Sequence, residues 1–591
     1  MATSMSRASE RSARDIFDTK QRAVKFYKDN GVPQKLEDIL NSMFYENPPD
    51  VYGRLSEYFE TLSKTPIISK IVTREILDSK GQPTVQTDIY CIVKGLEKFL
   101  GSSTASSYNS LPENAPQEKK EVDDKERQDN INAAIEHIQT HLAPALINRD
   151  PCQQQVIDNL ILELANTLKQ EQDEKQRIEQ EKAAAEAEAD PSNSSLPSVK
   201  ETPAKSVSPK GKKKIGSAKS SMVIPEEPKE ELLIGCSAVC SMSQAVLMTG
   251  AALKKCQPYE YIIGLTSEVV EKYEIPTPML NVMNSGRAAA GKQNVIKELL
   301  LIPKPGTSLK KGLKQMQYVF NQVGKMLTAK QGVSANFVND MGGYCPTVDK
   351  PEQLLDTVQE AITNVGLTAG EDVFFGINCA AHEIFDMDKA KYEVTSGVMK
   401  TCDDMIEFYG DLINRYPAII ALIDPLRKHE IEGWGKLCER LSEKCFIIGD
   451  YVYPRPERLI QEGFGELHSS AVSLKLQRLT TVSDMLHAAQ VAKDEKTLVM
   501  ISDVAGASSD TILADLAVSI RAKFVKFGAP SRGERVAQYN RLIQISEALE
   551  EQDRLTTSEA FNFPVLKPPE PEPEPDNAIQ EEDGTSNGQA S

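Results

Sequence analysis

The chain has 591 residues, 40% of them hydrophobic and 26% charged, with a formal net charge of -18. That length exceeds a single hydrophobic core and calls for two or three folded units joined by linkers. The acidic balance excludes a general nucleic-acid or anionic-membrane binder, which needs a basic surface. Ten cysteines with no CxxC pair and no histidine cluster exclude a disulfide framework and a zinc site, and point to reduced thiols.

The amino terminus, MATSMSRASERSARDIFDTK, lacks the apolar core of a secretory signal. Leu36, Ile39, Leu40, Met43 and Phe44 then recur at helical spacing, ENPPD interrupts them, and Val51, Leu55, Tyr58, Phe59 and Leu62 resume the pattern. This predicts an antiparallel helix pair over residues 34–62. Two short helices with such wide apolar faces pair with a second copy as a four-helix bundle or dock on their own chain. The pattern, NPP break included, is similar to the dimerisation and docking domains of cyclic-AMP-dependent kinase regulatory subunits, which present a groove to amphipathic anchoring helices. A plain hairpin packed on the main body is the alternative.

LKQEQDEKQRIEQEKAAAEAEAD, from Leu168 to Asp190, favours a solvated helix without a heptad seam. It gives way to SNSSLPSVKETPAKSVSPKGKKKIGSAKSS, which has nothing to bury and reads as a disordered linker. Residues 232–253, LLIGCSAVCSMSQAVLMTGAAL, carry no charge, but their serines, glycines and Gln244 suit a buried helix better than a membrane span. On such a helix Cys236 and Cys240 are small buried residues one turn apart. From 276 to 550 the apolar runs DVFFGIN, AIIALID, KCFIIGD, AVSLKL, TLVMIS and KFVKFG alternate with amphipathic segments. The alternation implies a parallel sheet, and its length suits a closed eight-stranded α/β barrel. An open doubly wound sheet is the alternative, although no GxGxxG loop opens a helix. The tail KPPEPEPEPDNAIQEEDGTSNGQAS is extended.

The same segments resemble the enolases. SKGQPTVQTD (79–88) matches the family's amino-terminal hairpin and NVMNSGRAAAGK its first barrel loop; NDMGGYCP, FGINCAAHEIF, IDP, IIGD, SLKL and KFGAPSRGERVAQYNRLIQI follow in family order. The resemblance runs from about Pro66 to Leu549. It implies a helical module (1–65), an α+β domain (66–167 and 231–270) interrupted by the insertion 168–230, a (β/α)8 barrel (271–565) and a tail (566–591). It also implies dehydration of 2-phosphoglycerate to phosphoenolpyruvate with two magnesium ions, usually by a homodimer. By this resemblance Lys475 is the base that takes the proton and Lys526 grips the substrate carboxylate. Glu298 flanks the leaving group, and Thr104 lies near the mobile-loop hydroxyl that reaches the second metal.

The metal cage departs from the pattern. The family sets an aspartate, a glutamate and an aspartate at successive strand ends, because magnesium selects hard anionic oxygens. Here Asn378, Ile423 and Asp450 occupy those places. Asp424 adjoins Ile423, but successive strand residues point oppositely, so it is no simple substitute. Met341 replaces the second leaving-group acid, the first-loop histidine is absent, and Asp503, Val504 and Ala505 replace a histidine, an arginine and a serine that hold the phosphate. Arg287, Lys292 and Lys297 are extra cations near these loops, with surface solvation as the simpler expectation.

Two functions stay open. One is an enolase-type lyase of glycolysis with weakened turnover. The other is a non-catalytic enolase-shaped assembly protein, a homodimer or a heterodimer with another enolase, that reaches a kinase-anchoring protein through residues 34–62. The expected location is the cytoplasm or a cytoskeletal assembly, with no nucleic-acid or membrane partner.

Overall fold

The structure, a computed structural model, describes residues 17–105, 117–189, 232–266, 270–454, 460–466, 469–476 and 480–564. The linker within the insertion and the proline/glutamate tail lie outside these residues. The chain divides into two compact units, residues 1–67 with 91–98, and residues 68–90 with 99–591.

In the first unit the predicted pair forms as α1 (Val32–Glu46) and α2 (Val51–Thr61). Asn47 ends α1 in the left-handed region, φ 45°, with its N–H on the Met43 carbonyl. Two prolines follow, which cannot donate to a helix. Asp50 then caps α2, accepting the Gly53 N–H at 2.8 Å. Ile39 and Met43 are buried, whereas Phe44, Tyr45 and Tyr52 are more than 80% exposed.

After the helix pair comes a three-stranded sheet in sequence order, β1 (Ile67–Leu77), β2 (Pro83–Val93) and β3 (Leu96–Thr104), most of whose residues belong to the second unit. The turn between β1 and β2 is the SKGQP segment. The Asp78 carboxylate accepts the Lys80 and Gln82 N–H groups at 2.8 Å each, and Gly81 takes φ 72°. Of the helices that follow, α3 (Gln154–Ala189) is largely exposed over residues 171–182, and α4 (Ser237–Lys254) is buried on nearly every face. Cys236 and Cys240 are both buried and form no disulfide. No helix among the described residues is long and apolar enough to cross a membrane.

The barrel closes as β4 (Thr277–Asn284), β5 (Glu298–Pro303), β6 (Val373–Asn378), β7 (Ile419–Ile423), β8 (Phe446–Gly449), β9 (Ala471–Leu474), β10 (Leu498–Ser502) and β11 (Phe524–Gly528), with β11 returning to β4. All six runs read as strands are strands. The expectation of a wholly parallel sheet is corrected, because β5 runs antiparallel to both β4 and β6. A parallel partner needs a helical crossover. The segment between Asn284 and Glu298 holds one short 3-10 turn, Gly286–Ala288. The reversal has a chemical consequence, since it brings the first residue of β5, Glu298, level with the last residues of its neighbours, Asn284 and Asn378. Outside the barrel, helices Cys402–Arg415 and Val482–Asp494 start at Thr401 and Thr481, each closing a capping box with an aspartate three residues on.

Met279, Leu300, Ile302, Ala421, Ile423, Ile448 and Met500 fill the lumen. Its amino-terminal end is closed by Phe446 and Phe524, ring centroids 5.0 Å apart, over which the chain end folds Phe561 and Phe563.

Candidate active site

The strand ends at the barrel mouth present two ammonium groups, and each is clamped to a carboxylate. Lys526, on β11, lies 2.9 Å from Glu298, with 6% and 4% of the two side chains exposed. Asn378 donates its amide Nδ2 to the same Glu298 oxygen at 2.6 Å. Burial pushes the Glu298 carboxyl up, but the Lys526 ammonium, the Asn378 amide and the Lys297 charge more than offset this and hold it below its ordinary range. Glu298 is therefore a carboxylate, an acceptor with no proton to hand to a leaving hydroxide.

Across the mouth Lys475, just past β9, donates to Asp450 at 2.7 Å. An ammonium that donates to Asp450 must release that contact and give up its own proton before it can take one from substrate. Ile423 ends β7 with no exposed surface and packs within the lumen cluster. Asp424, next in sequence, adopts φ 46° and turns back on the backbone, accepting the Asp450 N–H at 2.7 Å and the Tyr451 N–H at 2.8 Å. Burial, with the Asp450 charge adding to it, pushes the Asp424 carboxyl up to about 7.

These residues fail the test for a magnesium cage. Such an ion requires several hard oxygen donors in octahedral array. Asn378 offers at best one neutral amide oxygen, Ile423 has no lone pair, Asp450 is engaged by an ammonium, and both Asp424 oxygens serve backbone N–H groups. Among the described residues no three His, Cys, Asp or Glu side chains converge as a metal site.

The other departures have structural counterparts. Asp503 forms a buried pair with Arg535 at 2.9 Å. The guanidinium also reaches the carbonyls of Val504 at 2.9 Å and Asp340 at 3.2 Å. Its two terminal nitrogens are engaged internally, where the family pattern has a phosphate clamp, and its buried Nε has no hydrogen-bond partner among the described residues. Burial pushes the Asp503 carboxyl up, with Arg535 opposing. Met341 contributes its backbone carbonyl, which receives the Ala529 N–H at 2.8 Å. A Cβ on Gly528, φ 99°, would lie 2.7 Å from that oxygen. Thr104 ends β3 beside Asp510, with its N–H 3.4 Å from that carboxylate. It lines a small cavity with Gln244, Asp503 and Gln538. Arg287 and Lys292 are exposed, as surface solvation predicts.

Lys297 does not follow that expectation, because its ammonium is ion-paired with Glu383 at the mouth. Glu383 lies on the 3-10 turn Ala381–Ile384, just beyond β6, with His382 alongside. The His382 ring stacks on Tyr451 at 3.9 Å and an interplanar angle of 14°. The pairing of Lys297 with Glu383 is invisible in the sequence, although the segments IKELLLIP and AAHEIF that carry the two residues were both singled out by the resemblance.

Comparison with known proteins agrees with this architecture. A family model described as enolase, C-terminal TIM barrel domain, matches residues 272–562, and one described as enolase, N-terminal domain, matches residues 68–196. The chain belongs to the enolase family. Among its relatives are proteins named enolase 4. That of Xenopus laevis is 35% identical over 572 residues, 96% of this chain and 98% of the relative. The Homo sapiens protein is 32% identical over 574 residues, 93% and 91% of the two chains, and the Mus musculus protein 33% identical over 574 residues, 93% and 92%. Within the enolase framework this chain therefore has the closed barrel, with Lys475 and Lys526 at its mouth and a donor set there that does not fit magnesium.

Proposed function

We propose that this enolase-like protein binds a small carboxylate-bearing acid of the 2-phosphoglycerate and phosphoenolpyruvate class at its barrel mouth, and dehydrates 2-phosphoglycerate only weakly. The observation that carries this reading is the presence of Lys475 and Lys526 at the mouth, on or just past the strands either side of β10, each already held by a carboxylate. A proton beside a carboxylate is barely acidic, so its removal depends on stabilising the enolate. Lys526 can exchange Glu298 for a substrate carboxylate, and Lys475 can take the proton once it has left Asp450 and released its own proton to solvent. No acid assists the departing hydroxide, since Glu298 is ionised and Met341 has no acidic group. Each 1.4 kcal/mol of lost stabilisation is about a tenfold loss of rate, so these departures together place turnover several orders of magnitude below an intact site. The test is phosphoenolpyruvate formation by the full chain and by Lys475→Ala, with and without magnesium. A slow signal that vanishes in the variant is expected. Equal rates in the two proteins would dismiss the lyase, and a fast magnesium-saturable rate would dismiss the attenuation.

A second reading, assembly, is favoured by the exposed face of α1 and α2. Phe44, Tyr45 and Tyr52 present aromatic surface that a monomer leaves in water. The proposed occupant is the same face of a second copy, which makes a four-helix bundle and, through it, a dimer able to receive an amphipathic anchoring helix. Sedimentation of the full chain against a chain lacking residues 1–65 tests this, and an unchanged association state counts against it.

A further inference from the structure

Three of the lysine–carboxylate pairs at the barrel mouth differ in accessibility. Lys526–Glu298 is buried, with 6% and 4% of the side chains exposed. Lys475–Asp450 is nearly so, at 19% and 8%. Lys297–Glu383 is open, at 35% and 34%. An incoming anion meets the open pair first and exchanges with it at the lowest desolvation cost.

Lys297 is held in place from both sides. Its N–H donates to the Asn378 carbonyl at 2.9 Å and its carbonyl accepts the Ser285 N–H at 3.0 Å, so its backbone is fixed between the ends of β6 and β4. Its ammonium also lies in the fields of Glu298 and Asp450. Both hold its pKa up, along with the larger effect of Glu383 and against the pull of burial. Beside it, burial pushes the His382 imidazole down to about 4, so the ring that stacks on Tyr451 is a neutral wall at neutral pH. Arg427, which packs over Phe385 at 4.0 Å and pairs with Glu430, is engaged elsewhere.

We propose that Lys297 takes the place of the family's divalent cation. In this arrangement Glu383 is a built-in stand-in for the ligand, which a substrate carboxylate displaces from the Lys297 ammonium, so that binding needs no metal. The inference rests on the anion-binding reading given above and adds its charge source and its gatekeeper. It predicts opposite effects for the two members of one pair, which a merely structural ion pair does not.

The experiment is calorimetric titration of the full chain with phosphoenolpyruvate in excess chelator, for wild type, Lys297→Met, Lys297→Arg and Glu383→Gln. Melting temperatures report folding in each case. The wild type should bind in chelator. Lys297→Met should weaken binding at least tenfold and Lys297→Arg should retain most of it. Glu383→Gln, with the internal competitor discharged, should tighten it several-fold. Should Lys297→Met unfold, the Glu383→Gln result still decides. Weaker or unchanged binding by Glu383→Gln overturns the proposal, as does wild-type binding that appears only when magnesium is restored; this second result leaves the anion site standing. Absence of binding with and without magnesium overturns the anion site itself.

Discussion

The two ends of the barrel are made by the same eight strands and have different rules. At the closed end Phe446 and Phe524 meet Phe561 and Phe563 in an aromatic cluster. At the mouth the same strands end in Glu298, Asn378, Asp450, Lys475 and Lys526, held by paired charges and hydrogen bonds. Packing at one end secures the enolase framework whatever stands at the other. The mouth can therefore exchange a carboxylate for Ile423 and still close, because an aliphatic side chain extends the lumen cluster by one more layer. Fold and chemistry have separate sequence requirements in this molecule.

The largest expected effect tests the closed end. Phe446→Ala removes a fully buried ring and should cost about 3–5 kcal/mol of stability. Ligand binding per folded molecule should be unchanged, which comparison of chemical denaturation with calorimetry will show. At the mouth, Lys526→Met leaves Glu298 buried and uncompensated and should cost a comparable amount, again about 3–5 kcal/mol. The two ends then separate through the second-site change. Lys526→Met combined with Glu298→Gln should recover most of the stability while binding stays lost. If the double variant is as unstable as the single one, the mouth depends on specific packing as the closed end does, and the distinction fails.

A gain of function sharpens the contrast. Ile423→Glu with Asn378→Asp restores two anionic oxygens beside Asp450, at a cost in stability without metal because carboxylates then crowd a buried rim. Magnesium should raise the melting temperature of this variant and leave the wild type unmoved. At a hundredfold excess over the dissociation constant the stabilisation is about 2.7 kcal/mol. Equal responses of the two proteins would mean that the cage was assigned to the wrong strand ends.

Much of this was legible in the sequence for physical reasons. Runs such as AIIALIDP announce strands buried on both faces, and a residue such as Ile423 at a strand's carboxyl end declares what it cannot ligate. The antiparallel β5 escaped because ELLLIP is apolar in either direction, and only the shortness of its connection to β4 betrays the reversal. Asp424 was legible in part. The alternation of strand side chains predicted that it would turn away from its neighbour, while its two backbone N–H partners depend on how β8 ends. The Lys297–Glu383 pair was not legible, because its partners come from separate strand ends and meet only through the order of the closed sheet. Thr104 matched a loop by sequence and ends a strand in the structure, where Asp510 meets its N–H.

The smallest expected effect concerns a buried charge with no cation. At the mouth Glu298 and Asp450 each have a lysine, whereas among the described residues the donors to Asp158 on α3 are neutral. They include the Ser483 N–H at 3.0 Å, the Ser483 hydroxyl at 2.6 Å and the Gln154 amide at 3.0 Å, with the Ser243 hydroxyl as a further partner. Burial pushes the Asp158 carboxyl up, and these hydrogen bonds offset the shift only in part. Its folded pKa thus exceeds its unfolded one, so the folded state holds the extra proton. The associated stability is fully present below the ordinary carboxylate range near 4, and is lost as pH rises from there toward the folded value. The loss is at most about 1.4 kcal/mol per pH unit. Asp158→Asn cannot titrate, and it also loses an acceptor for Ser483, so it should be the less stable protein at pH 4. Its deficit should narrow as pH is raised to 7, measured by denaturant unfolding of both proteins at each pH. Glu298, whose pKa is held down by Lys526, should behave in the opposite sense against Glu298→Gln, with the wild-type advantage growing as pH rises through the carboxylate range. A deficit for Asp158→Asn that widens with pH would show that its hydrogen bonds outweigh burial, and the contrast between paired and unpaired buried charges would not hold.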